Sequence, residues 1–193
     1  MDQQERLRPH PTCLDAPQIS LLGEVNEDMV RDFLAALSDA EKAGGDIALE
    51  ITTPGGDAEL GRRLVLEVQN ARRRLSGRKF LFLGKTQVYS GGITLMSAFP
   101  VADRYLTRDT MLMVHCRQLD KTIELSGPMR ASLPKIEAVQ EQIKHGLRHD
   151  EENLRRLIEG SKIGFDEIQR KALHNWYLTA DQALELQLVG DLI

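Results

Sequence analysis

The apolar positions of the chain change period along its length, so that strand-like runs alternate with helical stripes. Ile19 to Val25 reads as a short strand. Asn26 then caps a helix whose first turn carries Glu27 and Asp28, where carboxylates meet the positive end of the dipole. Val30, Phe33, Leu34 and Leu37 form its buried stripe, and Gly44-Gly45 ends it. Ile47, Leu49 and Ile51 alternate as a strand running into Pro54-Gly55-Gly56. Leu60, Leu64, Val68, Ala71 and Leu75 mark the next helix, and Phe80-Leu81-Phe82-Leu83 the next strand. A short helix starts beyond Ser90, and Met111 to Val114 is another strand. Such alternation predicts an α/β fold with right-handed crossovers between strands.

After His115 the pattern changes. Lys121 to Leu125 reads as an exposed strand, Ser126-Gly127-Pro128 as a turn, and a long helix follows to about Glu159. Along it Ile136, Val139, Ile143, Leu147, Leu154 and Leu157 lie near heptad spacing. At about 1.5 Å per residue, thirty residues span roughly 45 Å, more than so small a domain can cover. The helix therefore predicts a partner. Thr179-Ala180-Asp181-Gln182 is a capping box opening the last helix. Residues 1–18, with Arg8-Pro9-His10-Pro11, read as an extended or flexible arm, and 19–193 as a single domain.

Composition narrows the function. With 41% hydrophobic residues in 193, the chain can build a real core. A net charge of −4 and a pI near 5.8 argue against nucleic-acid binding, and Arg72-Arg73-Arg74 reads as a solvated helix end. Cys13 and Cys116 are too few for a disulfide framework, which fits a reducing cytoplasm. No signal-peptide pattern and no run of 18 apolar residues is present, so no membrane span is expected. His145 and His149 share a helix face but lack a third ligand, so no metal site is expected there. Gly84-Lys85-Thr86 lacks the first glycine of a phosphate-binding loop, Lys79 standing there, and no cofactor is expected.

Three segments carry chemistry, in a fixed order: Thr53-Pro54-Gly55-Gly56-Asp57, Val88-Tyr89-Ser90-Gly91-Gly92 and Met113-Val114-His115. Each follows a strand-like run. The first offers glycine N–H groups, the second a serine beside two glycines, the third a histidine. Those are the parts of an acyl-transfer site: oxyanion donors, nucleophile and general base. Each part alone has a plainer reading, since Pro-Gly-Gly and Ser-Gly-Gly are ordinary turns and Ser90 an ordinary helix cap. Ser97, inside the short helix, is a weaker nucleophile candidate, and Lys85 a rival base. A Cys116 thiol nucleophile is conceivable, but strand neighbours point to opposite faces, which makes it a bystander of His115.

In these segments the chain resembles the proteolytic subunit of the Clp protease, ClpP, and the wider crotonase-like fold. The matched residues are Ile51-Thr52-Thr53-Pro54-Gly55-Gly56, Ser90-Gly91-Gly92 and Met113-Val114-His115, with 25 positions between serine and histidine. The likeness extends to Ile19-Ser20-Leu21-Leu22-Gly23-Glu24-Val25, Leu178-Thr179-Ala180-Asp181-Gln182-Ala183 and Leu188-Val189-Gly190-Asp191. It implies a fold of repeated ββα units with a protruding strand–helix handle over about 119–160. It implies a serine endopeptidase acting on peptides or unfolded proteins, in homo-oligomeric rings, with an AAA+ unfoldase as partner. Ser90 would attack, His115 would shuttle the proton, and the N–H groups of Gly56 and Gly91 would hold the oxyanion.

The family's third catalytic residue, an aspartate, falls at Lys171, and its second Arg-Asp pair reads His174-Asn175 here. Asn175 is the leading candidate to orient His115, ahead of Asp166 and a residue of a neighbouring subunit. The approach from Gly84 to Ser90 is about two residues longer than the family's, and the N-terminal segment differs from the family's axial loops. Two other readings follow from these departures: a non-catalytic subunit that scaffolds active ones, and a crotonase-type acyl-group enzyme that does not need Ser90.

Overall fold

In the computed structural model, which describes residues 10–193, seven strands form one mixed sheet with helices packed against it. The strands are β1 (Ile19–Leu22), β2 (Ile47–Thr53), β3 (Phe80–Tyr89), β4 (Arg104–Leu106), β5 (Met111–Val114), β6 (Trp176–Thr179) and β7 (Asp191–Leu192). The helices are α1 (Glu27–Ala43), α2 (Ala58–Arg74), α3 (Gly91–Met96), α4 (Met129–Ile158), α5 (Phe165–Ala172) and α6 (Ala180–Glu185). β1, β2, β3, β4 and β7 run parallel in that order. The central strands are nearly continuous apolar runs because they are covered by chain on both faces, as parallel strands must be. Ile47, Leu49, Phe80, Phe82, Phe33, Leu64 and Val68 are fully or almost fully buried in one core.

The expected helix boundaries hold. Asn26 accepts the amide of Met29 at 2.9 Å, and Thr179 with Gln182 closes the capping box. The unpredicted cap is Asp57, whose carboxylate accepts from Glu59 and Leu60 at the head of α2.

β3 is longer than its apolar run. It continues past Leu83 to Tyr89 through an irregularity at which its pairing slips. Ile51 pairs with Gly84 and Thr53 with Val88, so two steps on β2 match four on β3. The two extra residues are thus absorbed in a bulge, where Thr86 takes a φ of +58°. The bulge also lets β3 change partner: Phe82–Gly84 pair with β4, whereas Gln87–Tyr89 pair with β5. That second pairing aims the end of β3 at the end of β5.

Two expectations are corrected. Lys121 to Leu125 forms no strand, because a strand needs a neighbour to take its backbone bonds and none in the described chain lies beside it. The segment expected as an arm is, from His10 onward, laid on the sheet: Thr12–Leu14 is a short helical turn and Leu14 is buried with Ala48, Leu81 and Leu83. Residues 1–9 lie outside the described chain. Among the described residues no helix is long and apolar enough to cross a membrane.

Arg104, at the start of β4, is 1% exposed. Its guanidinium donates to the carbonyls of Phe99 (2.7 Å), Leu157 (2.7 Å), Leu188 (3.0 Å) and Arg156 (3.2 Å). Burial pushes its pKa down to about 10, while the Leu157 and Arg156 carbonyls at the end of α4 supply the compensating dipole. Through this one side chain the foot of α4 is tied to the sheet.

Candidate active site

The strand register brings the serine and the histidine together. Tyr89 pairs with Met113 in the parallel ladder, and the amide of Ser90 donates to the Met113 carbonyl at 3.0 Å. Ser90 therefore leaves β3 beside the residue two before His115. It does so in a strained conformation, φ +50° and ψ −104°, at the turn from β3 into α3. A non-glycine residue held there costs about 1–3 kcal/mol, which packing on both sides must enforce. Gly55 belongs to that packing, because a Cβ on it would lie 2.7 Å from the Cβ of Ser90.

Ser90 Oγ lies 2.6 Å from His115 Nε2. The other ring nitrogen, Nδ1, is 2.7 Å from the Cys116 carbonyl oxygen. A carbonyl can only accept, so Nδ1 carries the proton and Nε2 presents its lone pair to the serine hydroxyl. This is the tautomer a general base requires.

The glycine turn supplies backbone donors. Val25 forms an isolated bridge with Gly56, using the Gly55 carbonyl (2.7 Å) and the Asp57 amide (2.9 Å). That pattern leaves the Gly56 N–H unused. A Cβ on Gly56 would collide with the Val25 carbonyl oxygen, and its φ is +147°, so only glycine fits. Gly91 opens α3, and its amide has no acceptor four residues back inside the helix. Gly56, Ser90, Gly91 and His115 all line one cleft of about 440 Å³, closed on its far side by α2 and α4.

The remaining sequence candidates lie elsewhere. Asn175 is exposed at φ +53°; the ladder pairs Val114 with Trp176, and the chain turns before a His115–Asn175 pair can form. Among the described residues no hydrogen bond joins Asn175 or Asp166 to His115, whose two nitrogens are already engaged. Lys171 Nζ sits 4.6 Å from the Trp176 ring centroid and 3.4 Å from Glu167, so its charge has partners of its own. Lys85 forms an ion pair with Glu50 on β2, away from Ser90. Ser97 is buried and donates to Thr94 (2.7 Å) and Asn153 (2.9 Å). The Cys116 thiol is pushed up to about 11, by burial first and by Asp150 second, so it stays protonated. Among the described residues no cluster of three potential metal ligands occurs.

The sequence pattern missed Asp150. Its carboxylate lines the same cleft, accepts the Arg117 amide at 3.1 Å and contacts the Cys116 thiol. Burial pushes its pKa up, opposed by the Arg117 N–H, the Cys116 thiol and the positive side of His115. One signal could have found it. Asp150, Leu154 and Leu157 are spaced by four and three, placing Asp150 on the inward stripe of α4.

No family model matches the chain, and no curated protein matches it by sequence. Among solved structures it is similar to a mutant of ClpP1 from Listeria monocytogenes, with a TM-score of 0.72 and 20% identity over 94% of each chain. At that identity the likeness concerns architecture: the chain has a ClpP-like fold.

Proposed function

We propose that the chain is a serine-type endopeptidase subunit working through a Ser90–His115 dyad. The observation that carries this reading is the 2.6 Å contact of Ser90 Oγ with a histidine whose tautomer is fixed by the Cys116 carbonyl. His115 Nε2 takes the hydroxyl proton as Ser90 Oγ attacks a peptide carbonyl. The resulting oxyanion accepts from the Gly56 and Gly91 N–H groups. His115 then returns the proton to the leaving amine, and water releases the acyl group by the same steps in reverse. The substrate in this reading is a peptide or an unfolded segment of a protein.

Assembly with further copies of the same chain belongs to this reading. Met129, Leu133, Ile136, Ile143 and Leu147 recur along one face of α4 and are 88%, 61%, 44%, 46% and 63% exposed. An apolar stripe of that length on a projecting helix calls for cover. An identical stripe from a second copy supplies it, as the handle of a ring-forming subunit would. An AAA+ unfoldase remains the partner class that a ring of this kind would serve.

One observation favours a second reading. His115 Nδ1 faces a neutral carbonyl rather than a carboxylate, as a non-catalytic scaffold subunit would tolerate. Hydrolysis of fluorogenic peptides by the purified chain separates the two. The dyad predicts turnover that Ser90→Ala removes; a parent protein without turnover leaves the scaffold, and turnover that survives Ser90→Ala contradicts the dyad.

A further inference from the structure

α4 is fixed against the cleft by its inner face. Asn153 Nδ2 donates to Thr94 Oγ1 at 2.8 Å, Asn153 Oδ1 accepts from Ser97 at 2.9 Å, and Leu154 and Leu157 are buried beside them. One turn earlier on the same stripe stands Asp150. It faces both residues that follow the general base: the Arg117 amide donates to its Oδ1 at 3.1 Å, and the Cys116 thiol lies beside the same carboxylate. Cys116 is also the residue whose carbonyl holds His115 Nδ1. A chain of contacts thus runs from Ser90 through His115 and the Cys116 peptide to a carboxylate.

We infer that Asp150 is the acidic positioning residue of this site. It clamps the Cys116–Arg117 backbone that presents the Cys116 carbonyl to His115, and its charge stabilises the imidazolium formed when Ser90 gives up its proton. The inference rests on the Ser90–His115 reading and deepens it: a neutral carbonyl sets the tautomer, and the charge comes from one residue further out.

The groups around Asp150 favour its charged form and oppose the burial that pushes its pKa up. Facing it from β5 and its exit are His115, Cys116 and Arg117. From α2, Glu59 pairs with Arg117 at 2.5 Å, and Arg62 shares the cleft. On α4 itself His149 and Glu152 pair with each other at 3.4 Å. Thr94 of α3 and Ser97 just beyond it are uncharged and are bound to Asn153. Arg117 is therefore largely matched by Glu59, which leaves His115 as the cation that Asp150 gains most from. Burial works against the carboxylate, so a purely structural clamp would be served as well or better by an amide.

Asp150→Asn separates these roles, because its amide oxygen can still accept from Arg117 while the charge is gone. The probe is a fluorophosphonate reacting with Ser90 of the full chain, followed across pH 5–9, with the melting temperature measured alongside. Loss of the charge should lower the plateau labelling rate about tenfold, the equivalent of roughly one pKa unit. It should also move the onset of labelling to lower pH, since the imidazolium loses its counter-charge. The melting temperature at pH 7 should hold or rise, and Asp150→Glu should keep the parent pH onset. An unchanged rate and onset in Asp150→Asn overturns the inference while leaving the dyad standing. An Asp150→Asn chain that fails to fold also overturns it, because the residue would then be a structural clamp. Absence of Ser90 labelling in the parent protein at every pH is a different result: it removes the dyad reading itself.

Discussion

The amide of Ser90 donates to the carbonyl of Met113 at 3.0 Å, and that bond ties the serine's backbone to the strand that leads to His115. It extends the parallel ladder from Tyr89–Met113 by one step, so the serine leaves β3 level with the strand that ends in His115. The bulge at Thr86 makes the bond possible, because it lets β3 abandon β4 for β5. Reactive geometry here is a consequence of strand register.

Gly55→Ala should damage the site more than the fold. The new Cβ would press on the Cβ of Ser90 at 2.7 Å, at a φ of +104° that suits glycine alone. A displacement near 1 Å at a reacting atom can cost about a hundredfold. Fluorophosphonate labelling of Ser90 should fall by about that factor while the far-ultraviolet circular dichroism stays that of the parent. Labelling at the parent rate would show that Gly55 does not shape the serine turn.

Thr86→Gly should stabilise the chain. Thr86 is an exposed β-branched residue at φ +58°, a conformation that suits glycine and strains threonine. Relief of that strain is worth about 1 kcal/mol, read as a higher urea midpoint with unchanged slope. A lower midpoint would mean that the threonine side chain holds the bulge.

Arg104→Met should be strongly destabilising, by about 3–5 kcal/mol in urea unfolding, since four carbonyls lose their donor in a site sealed from water. Arg104→Lys should rescue little, because a single ammonium cannot reach carbonyls from Phe99, Leu157 and Leu188 together. Near-parent stability in either variant would mean that the foot of α4 is held by other contacts.

Asn175→Ala should leave Ser90 labelling within about twofold, an ordinary surface substitution by its exposure and position. Loss of labelling in this variant would restore Asn175 as the group orienting His115.

Ile143→Glu should prevent the proposed self-assembly through α4. A carboxylate in the middle of the exposed stripe of α4 would have to be buried against its counterpart. Light scattering should give a large oligomer for the parent chain and a much smaller species for the variant. A monomeric parent contradicts the proposed interface.

Much of this was legible in the chain before its structure. Strand and helix periods, the caps at Asn26 and Thr179, and the order of the Gly-Gly, Ser and His segments all follow from local chemistry. What local pattern could not carry was partnership across space. Lys121–Leu125 has strand-like composition but no strand beside it in the described chain. Arg104 looks like a surface charge until three carbonyl-bearing segments close over it. Asp150 stands in the charged run Arg148-His149-Asp150-Glu151-Glu152, where composition alone does not say which carboxylate turns inward. Asn175 has a side-chain oxygen that could accept the imidazole N–H, but the imidazole finds its acceptor in its own neighbour, Cys116.

The most direct test is covalent. The purified chain is incubated with a fluorophosphonate at pH 8, and the adduct is located by peptide mass spectrometry. The Ser90–His115 reading predicts a single modified residue, Ser90, with labelling absent in Ser90→Ala and slowed at least about a hundredfold in His115→Ala, the scale of general-base loss. An unlabelled Ser90, or labelling that is the same without His115, would contradict it.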